Sequence, residues 1–208
     1  MFPSTVPAQR RRVWVGTYAR GRGGTSEKLL SMELALPIET GRLRLRPLAF
    51  EDHGALHAIH SREDVNRLFY TGPRTEAQVR EMLERKIAWS RDRGATLAVE
   101  LLATGELVGQ ASLNVGPPEH RQGEIGFIVH PDHQGHGYAT EAAEAVLALA
   151  FDGYELHRVC GRLEARNVAS AGVLERLGMR REAHLIENEW VKGAWESEVV
   201  YALLARFR

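Results

Sequence analysis

The stretch from His130 to Ala142, HPDHQGHGYATEA, constrains this chain more than any other. It follows an apolar, strand-like run from Ile125 to Val129 and leads into a helix-forming run that ends near Phe151. A chain that leaves a strand through Gly135 and Gly137 and then enters a helix presents several unpaired backbone N–H groups at the positive end of a helix dipole. Such a loop suits a phosphate, and it points to a nucleotide-like ligand.

Around this unit the chain reads as one domain. Arg42 to Leu48 alternates polar and apolar residues, as a half-buried strand does, and Asp52 to His60 has a helical pattern. Thr75 with Gln78 three residues on forms a capping-box signature for a helix running to about Arg93, with Trp89 on its apolar face. Ala95 to Leu102 and Glu106 to Val115 flank Thr104 and Gly105 as a hairpin, and GPPEHRQG is a loop. Gly123 to Val129 is a strand, Gly137 to Phe151 a helix and Arg158 to Leu163 a strand. Asn167 starts a short helix that Gly178 closes. Met179 to Leu185 and Trp195 to Leu203 complete the sheet, with Lys192 and Gly193 in the turn between them. Antiparallel pairs plus one strand–helix–strand–helix passage imply an α/β fold with a mixed sheet.

With 208 residues, 44% of them hydrophobic, the chain suffices for one core. Residues 1–37 read as a disordered leader and 38–208 as the folded domain, with Met32 an alternative start. Up to Ser31 the leader carries Arg10, Arg11, Arg12, Arg20, Arg22 and Lys28 against Glu27. Because the whole chain is neutral, the remainder is net acidic. A basic tail before an acidic domain is not the charge pattern of a dedicated nucleic-acid binder. Cys160 is the only cysteine, which excludes an internal disulfide and a cysteine metal cluster. The longest apolar run, Ala145 to Phe151, is seven residues, far short of the roughly 20 that span a bilayer. The expected compartment is the cytoplasm, with no membrane or direct nucleic-acid partner.

Two nucleotide-binding readings of the loop fail on its residues. Gly135 and Gly137 open a GxGxxG pattern, with Glu164 as a ribose partner, but Thr140 stands where the third glycine is required. A Walker A loop needs a lysine that is missing after the glycines.

Gln134, Gly137 and Ala139 instead match the (Gln/Arg)xxGx(Gly/Ala) pyrophosphate loop, and here the chain resembles the GNAT superfamily of acetyl-CoA-dependent N-acyltransferases. The segments TGRLRLRPLAFEDHGAL, GEIGFIVHP, NVASAGVLERLGM and KGAWESEVVYALL resemble, in order and in register over about residues 38 to 206, its Rim-type branch of ribosomal-protein N-terminal acetyltransferases. The resemblance implies a GNAT fold: a mostly antiparallel sheet flanked by helices, with central strands splayed so that the pantetheine arm of acetyl-CoA fits between them. It further implies cofactor contacts from Ile128, Val129, Gln134, Gly135, His136, Gly137, Tyr138, Ala139, Thr140 and Asn167, with the Val129 N–H as oxyanion donor.

In such enzymes an amine attacks the thioester directly, so no nucleophilic serine or cysteine is needed. What is needed is a neutral amine, proximity, oxyanion stabilisation and a proton for the thiolate. Many relatives hold a tyrosine where this chain has Leu174, which leaves Ser170 as the candidate acid; Glu124 is the candidate base. Each has an ordinary alternative: Asn167 as a plain N-cap, Ser170 as an early helix residue, Glu124 as a solvated strand-end carboxylate. The acceptor expected is a primary amine, with a protein or peptide N-terminus favoured over a small amine or an antibiotic amino sugar. A non-catalytic acyl-CoA-binding regulator is the reading from a different class, and a homodimer is compatible with all of them. His53, His57 and His60 share a helical face, and His130, His133 and His136 flank the loop, but neither set has a metal-binding pattern. Trp190, Trp195 and Tyr201 are expected in the core more than in an acceptor groove.

Overall fold

The computed structural model describes residues 36–69, 71–88 and 93–208. The expectations for the leader up to residue 35, for Met32 and for Trp89 lie outside these residues.

Eight strands form one sheet: β1 (Ile38–Glu39), β2 (Leu43–Pro47), β3 (Gly94–Leu101), β4 (Leu107–Val115), β5 (Gln122–Val129), β6 (Arg158–Glu164), β7 (Arg180–Val191) and β8 (Ala194–Leu204). Their spatial order is β1-β2-β3-β4-β5-β6-β8-β7. Every neighbouring pair is antiparallel except β5 and β6. The parallel pair needs a crossover, and α4 (Tyr138–Ala148) supplies it. A single π turn, Leu149–Gly153, follows α4 before the chain enters β6.

Strand alternation sorts the side chains onto two faces. Leu113, Ile125, Val159, Leu163 and Tyr201 pack under α4 and α5 (Val168–Arg176), together with Val146 and Leu174. Across the sheet, Ala98 and Leu48 receive α1 (His53–His60) and α3 (Glu76–Ile87) through Leu56, Val79, Met82 and Leu83. The short α2 (Glu63–Asn66) has no repeat long enough to read from sequence.

Local chemistry accounts for the helix ends. Thr75 and Gln78 close the expected capping box on α3, which stops at Ile87, earlier than its periodicity suggests. At the end of α5, Gly178 adopts φ +76, Met179 N–H donates to the Leu174 carbonyl and Gly178 N–H to that of Glu175. This is a Schellman cap, and buried Leu174 and Met179 supply its apolar contact. Tyr201 is in the core as expected, but Trp190 and Trp195, on the two arms of the β7–β8 hairpin, are 61% and 57% exposed. They pack edge to face on each other, with ring centroids 5.4 Å apart.

Candidate active site

The parallel pairing of β5 with β6 stops early. Gln122, Gly123 and Glu124 pair with Arg158, Val159 and Cys160, and no pair follows, so the strands part toward Val129 and Glu164. In the gap, backbone groups of β5 face outward. His130 N–H donates to the Val108 carbonyl at 2.8 Å, and alternation then turns the N–H and C=O of Val129, Phe127 and Ile125 away from β4 toward the gap. Gln134 Nε2 donates to the Val129 carbonyl at 3.1 Å, which ties the loop to the strand end and leaves the Val129 N–H directed into the opening.

The loop from His130 to Gly137 is shaped by local bonds and by ties to distant residues. The His130 ring accepts from Asp132 N–H, and His133 pairs with Glu106 at 3.1 Å. Gly135 and Gly137 sit at φ +80 and +83, in the left-handed region that side-chain-bearing residues rarely adopt. Gly137 is also the N-cap of α4, so the expected arrangement of a glycine loop aimed at a helix N-terminus is present.

A cleft of about 620 Å³ occupies the gap. Of the residues singled out from sequence, Ile128, Val129, Gln134, Gly135, Gly137, Tyr138, Ala139, Thr140, Asn167 and Ser170 all line it. His136 does not; it is exposed and stacks against Tyr138 at 5.6 Å. Residues of α2 and its flank, among them Val65, Arg67 and Phe69, form a further wall that sequence reasoning did not supply. A wider, more open hollow of about 1110 Å³ lies on the outer side of α4 and shares Gly137, Thr140 and Arg176 with the cleft.

Asn167 caps α5, its Oδ1 accepting Ser170 N–H at 3.1 Å. Replacing it by alanine is expected to cost about 1 kcal/mol. Thermal denaturation should show a fall of about 2 to 4 °C, which Asn167→Asp, retaining the acceptor, should restore. Leu174 is 2% exposed and packs on Gly161, where an added Cβ would lie 2.8 Å from Leu174 Cδ1. That position is therefore core here, and Ser170, one turn earlier, is the hydroxyl that α5 presents to the cleft.

Glu124 stands apart from the cleft, at the closed end of the gap and on the sheet face opposite α4. Arg162 Nε lies 3.8 Å from its Oε2, and the same guanidinium binds Glu198 at 2.7 Å. Burial pushes the Glu124 carboxyl above the ordinary range, Arg162 draws it back, and Glu198 adds to the rise. Glu164, weighed as a ribose partner, is buried at the end of β6 and bonded to Arg166 at 2.9 Å. Of the histidines on α1, His60 is buried while His53 and His57 stack in parallel at 6.3 Å, and in the loop His130 and His133 meet edge to face at 6.0 Å.

Residues 42–180 match the acetyltransferase (GNAT) domain family. The uncharacterized N-acetyltransferase YnaD of Bacillus subtilis is 30% identical over 80% of this chain and 96% of its own length. YdaF of the same organism, whose name provisionally calls it a ribosomal N-acetyltransferase, is 32% identical over 57% of this chain and 66% of its own. The spermidine N(1)-acetyltransferase of Escherichia coli is 23% identical over 76% of this chain and 83% of its own. Among solved structures, a GNAT-family acetyltransferase from Bacillus anthracis superposes with a TM-score of 0.75 at 31% identity, covering 81% of this chain and 98% of that one.

Proposed function

The chain belongs to the GNAT family of N-acetyltransferases, and from that premise we propose that it moves an acetyl group from acetyl-CoA to the N-terminal amine of a protein or peptide. One observation carries the reading: the gap between β5 and β6 has the Val129 N–H facing into it, the glycine loop at its mouth and Ser170 on its far wall. Pantetheine extends along the open edge of β5, and the diphosphate rests on the N–H groups from Gly135 to Thr140. Asn167 contributes to the wall on the pantetheine side.

The amine nitrogen attacks the thioester carbon, and the Val129 N–H stabilises the oxyanion that forms. Collapse breaks the C–S bond, and the coenzyme A thiolate takes a proton through Ser170 Oγ, which regains one from solvent water. The proton lost by the amine passes toward Glu124. Five residues of strand separate Glu124 from Val129, about 16 Å, so it works through water rather than by contact. A weak, distant base suits an α-amine, which is partly neutral at pH 7, better than a lysine, whose deprotonation costs roughly 5 kcal/mol.

A base acts only when ionised, and the Glu124 pKa is raised. The rate is therefore expected to fall on acidification at a pH above the ordinary glutamate range. Glu124→Gln should remove that acid limb from the kcat/KM profile and lower the plateau by about 10-fold or less, below the roughly 100-fold of a base in direct contact. An acid limb that persists in the variant would exclude Glu124 as the base.

Kinship with YdaF supports the protein acceptor, while kinship with the spermidine enzyme supports a polyamine as the second reading. Thiol release from acetyl-CoA, measured across N-terminal peptides, polyamines and amino-sugar antibiotics, separates them. Peptides are expected to be the best acceptors; turnover confined to polyamines or amino sugars would overturn the first reading.

A further inference from the structure

The apex of the glycine loop is tied down from outside the loop. Glu141, in the first turn of α4, accepts three hydrogen bonds and an ion pair. Thr40 Oγ1 and Arg42 N–H donate to its Oε1 at 2.6 and 2.8 Å, Arg42 Nε donates to Oε2 at 2.8 Å, and a terminal guanidinium nitrogen pairs with Oε2 at 2.6 Å. The other guanidinium nitrogen of Arg42 donates to the His136 carbonyl at 2.8 Å, and the guanidinium carbon lies 4.8 Å over the Tyr138 ring. One arginine thus joins the start of β2, the first turn of α4 and the loop backbone immediately before Gly137.

Two physical demands meet here. Gly135 and Gly137 give the loop its left-handed bends but also let it wander, and an anion site works best when its N–H groups are held before the anion arrives. Glu141 also places a carboxylate in the first helical turn, close to where a diphosphate binds. Burial raises its pKa, but the bonds from Thr40 and Arg42 outweigh burial and hold it below the ordinary range, so it stays charged. That charge is tolerable beside a diphosphate only while Arg42 neutralises it. Arg42 is 52% exposed, and an ion pair so wetted adds little to global stability. The consequence of the contact is therefore local.

We propose that Glu141, acting through Arg42, is a positioning residue for the pyrophosphate loop, fixing its His136–Gly137 apex and thereby setting affinity for the nucleotide end of the acetyl donor. The inference rests on the acetyl-CoA reading above. Neither residue takes part in the acyl transfer itself.

The test compares acetyl-CoA with S-acetylpantetheine, a donor that lacks the diphosphate, in the wild type and in Glu141→Ala, Arg42→Ala, Arg42→Lys and the double alanine variant. For acetyl-CoA, Glu141→Ala is expected to raise KM by about 10-fold and Arg42→Ala by up to about 100-fold, with kcat within about threefold. Arg42→Ala is the worse because it leaves the Glu141 carboxylate unneutralised; the double variant should return to the Glu141→Ala value. Arg42→Lys keeps the charge but not the planar fork, so it should recover only part of the loss. With S-acetylpantetheine all variants should match the wild type within about threefold. Equal losses with both donors would show a merely structural contact and overturn the proposal, as would a KM for acetyl-CoA within about twofold of wild type. A wild type that turns over S-acetylpantetheine but not acetyl-CoA would instead overturn the acetyl-CoA reading itself.

Discussion

Gly137→Glu is expected to abolish acetyl-CoA binding, raising the dissociation constant by more than about 100-fold while the chain stays folded. Three effects act together. Gly137 sits at φ +83, and a residue with a Cβ pays about 1 to 2 kcal/mol to occupy that region. Its Cβ would lie 3.3 Å from a terminal nitrogen of Arg42, crowding the guanidinium that binds the His136 carbonyl. Finally, the new carboxylate either stands where the diphosphate approaches or draws Arg42 away from Glu141. Gly135→Ala separates strain from occlusion: no atom lies within 4 Å of its Cβ, so only the cost of φ +80 remains, worth roughly 10-fold. Isothermal titration with acetyl-CoA and with NAD reads both variants. Unchanged acetyl-CoA affinity in Gly137→Glu, or tight NAD binding by the wild type, would exclude the loop as a coenzyme A site.

Features that depend on a few neighbouring residues were legible in the sequence. The Thr75–Gln78 box, the Asn167 cap, the Gly178 stop and the Lys192–Gly193 turn each follow from local hydrogen bonds or from glycine's freedom at positive φ. The glycine loop belongs to the same class, and the structure gathers its residues with Asn167 and Ser170 around one cleft. Long-range partners were not legible. An acid in the first turn of a helix is ordinary, and nothing local joins Glu141 to Thr40 and Arg42 about a hundred residues upstream. Strand alternation told which side chains share a face but not what covers that face. Hence Trp190 and Trp195, expected in the core, lie exposed on the β7–β8 hairpin. Glu124 shows the same limit, since only the register reveals that pairing ends at its own position and leaves it at the closed end of the gap.

Ser170→Ala is expected to lower kcat by roughly 10- to 10⁴-fold with little change in acetyl-CoA affinity. On α5 the wall offers few alternatives: Leu174 is buried against Gly161 and has no proton to give, and Val173 is apolar. The other hydroxyls of the cleft, Tyr138 and Thr140, come from α4, where the Tyr138 ring stacks with His136 and Thr140 Oγ1 accepts from Arg176 Nε at 3.3 Å. No hydrogen bond among the described residues engages Ser170 Oγ, so the hydroxyl remains available to a ligand. Its backbone is fixed independently, because the N–H bond to Asn167 Oδ1 does not use the side chain. Removing the oxygen should therefore leave α5 and the melting temperature unchanged, which keeps a kinetic loss from being confused with unfolding. Thiols ionise near pH 8.5, so a departing thiolate can also take its proton from water. That route sets the lower end of the expected range. Rapid-quench measurement of a single turnover, with the variant saturated in acetyl-CoA, isolates the chemical step from product release. A chemical rate equal to that of the wild type would mean that water protonates the thiolate and that Ser170 is no more than an early residue of its helix.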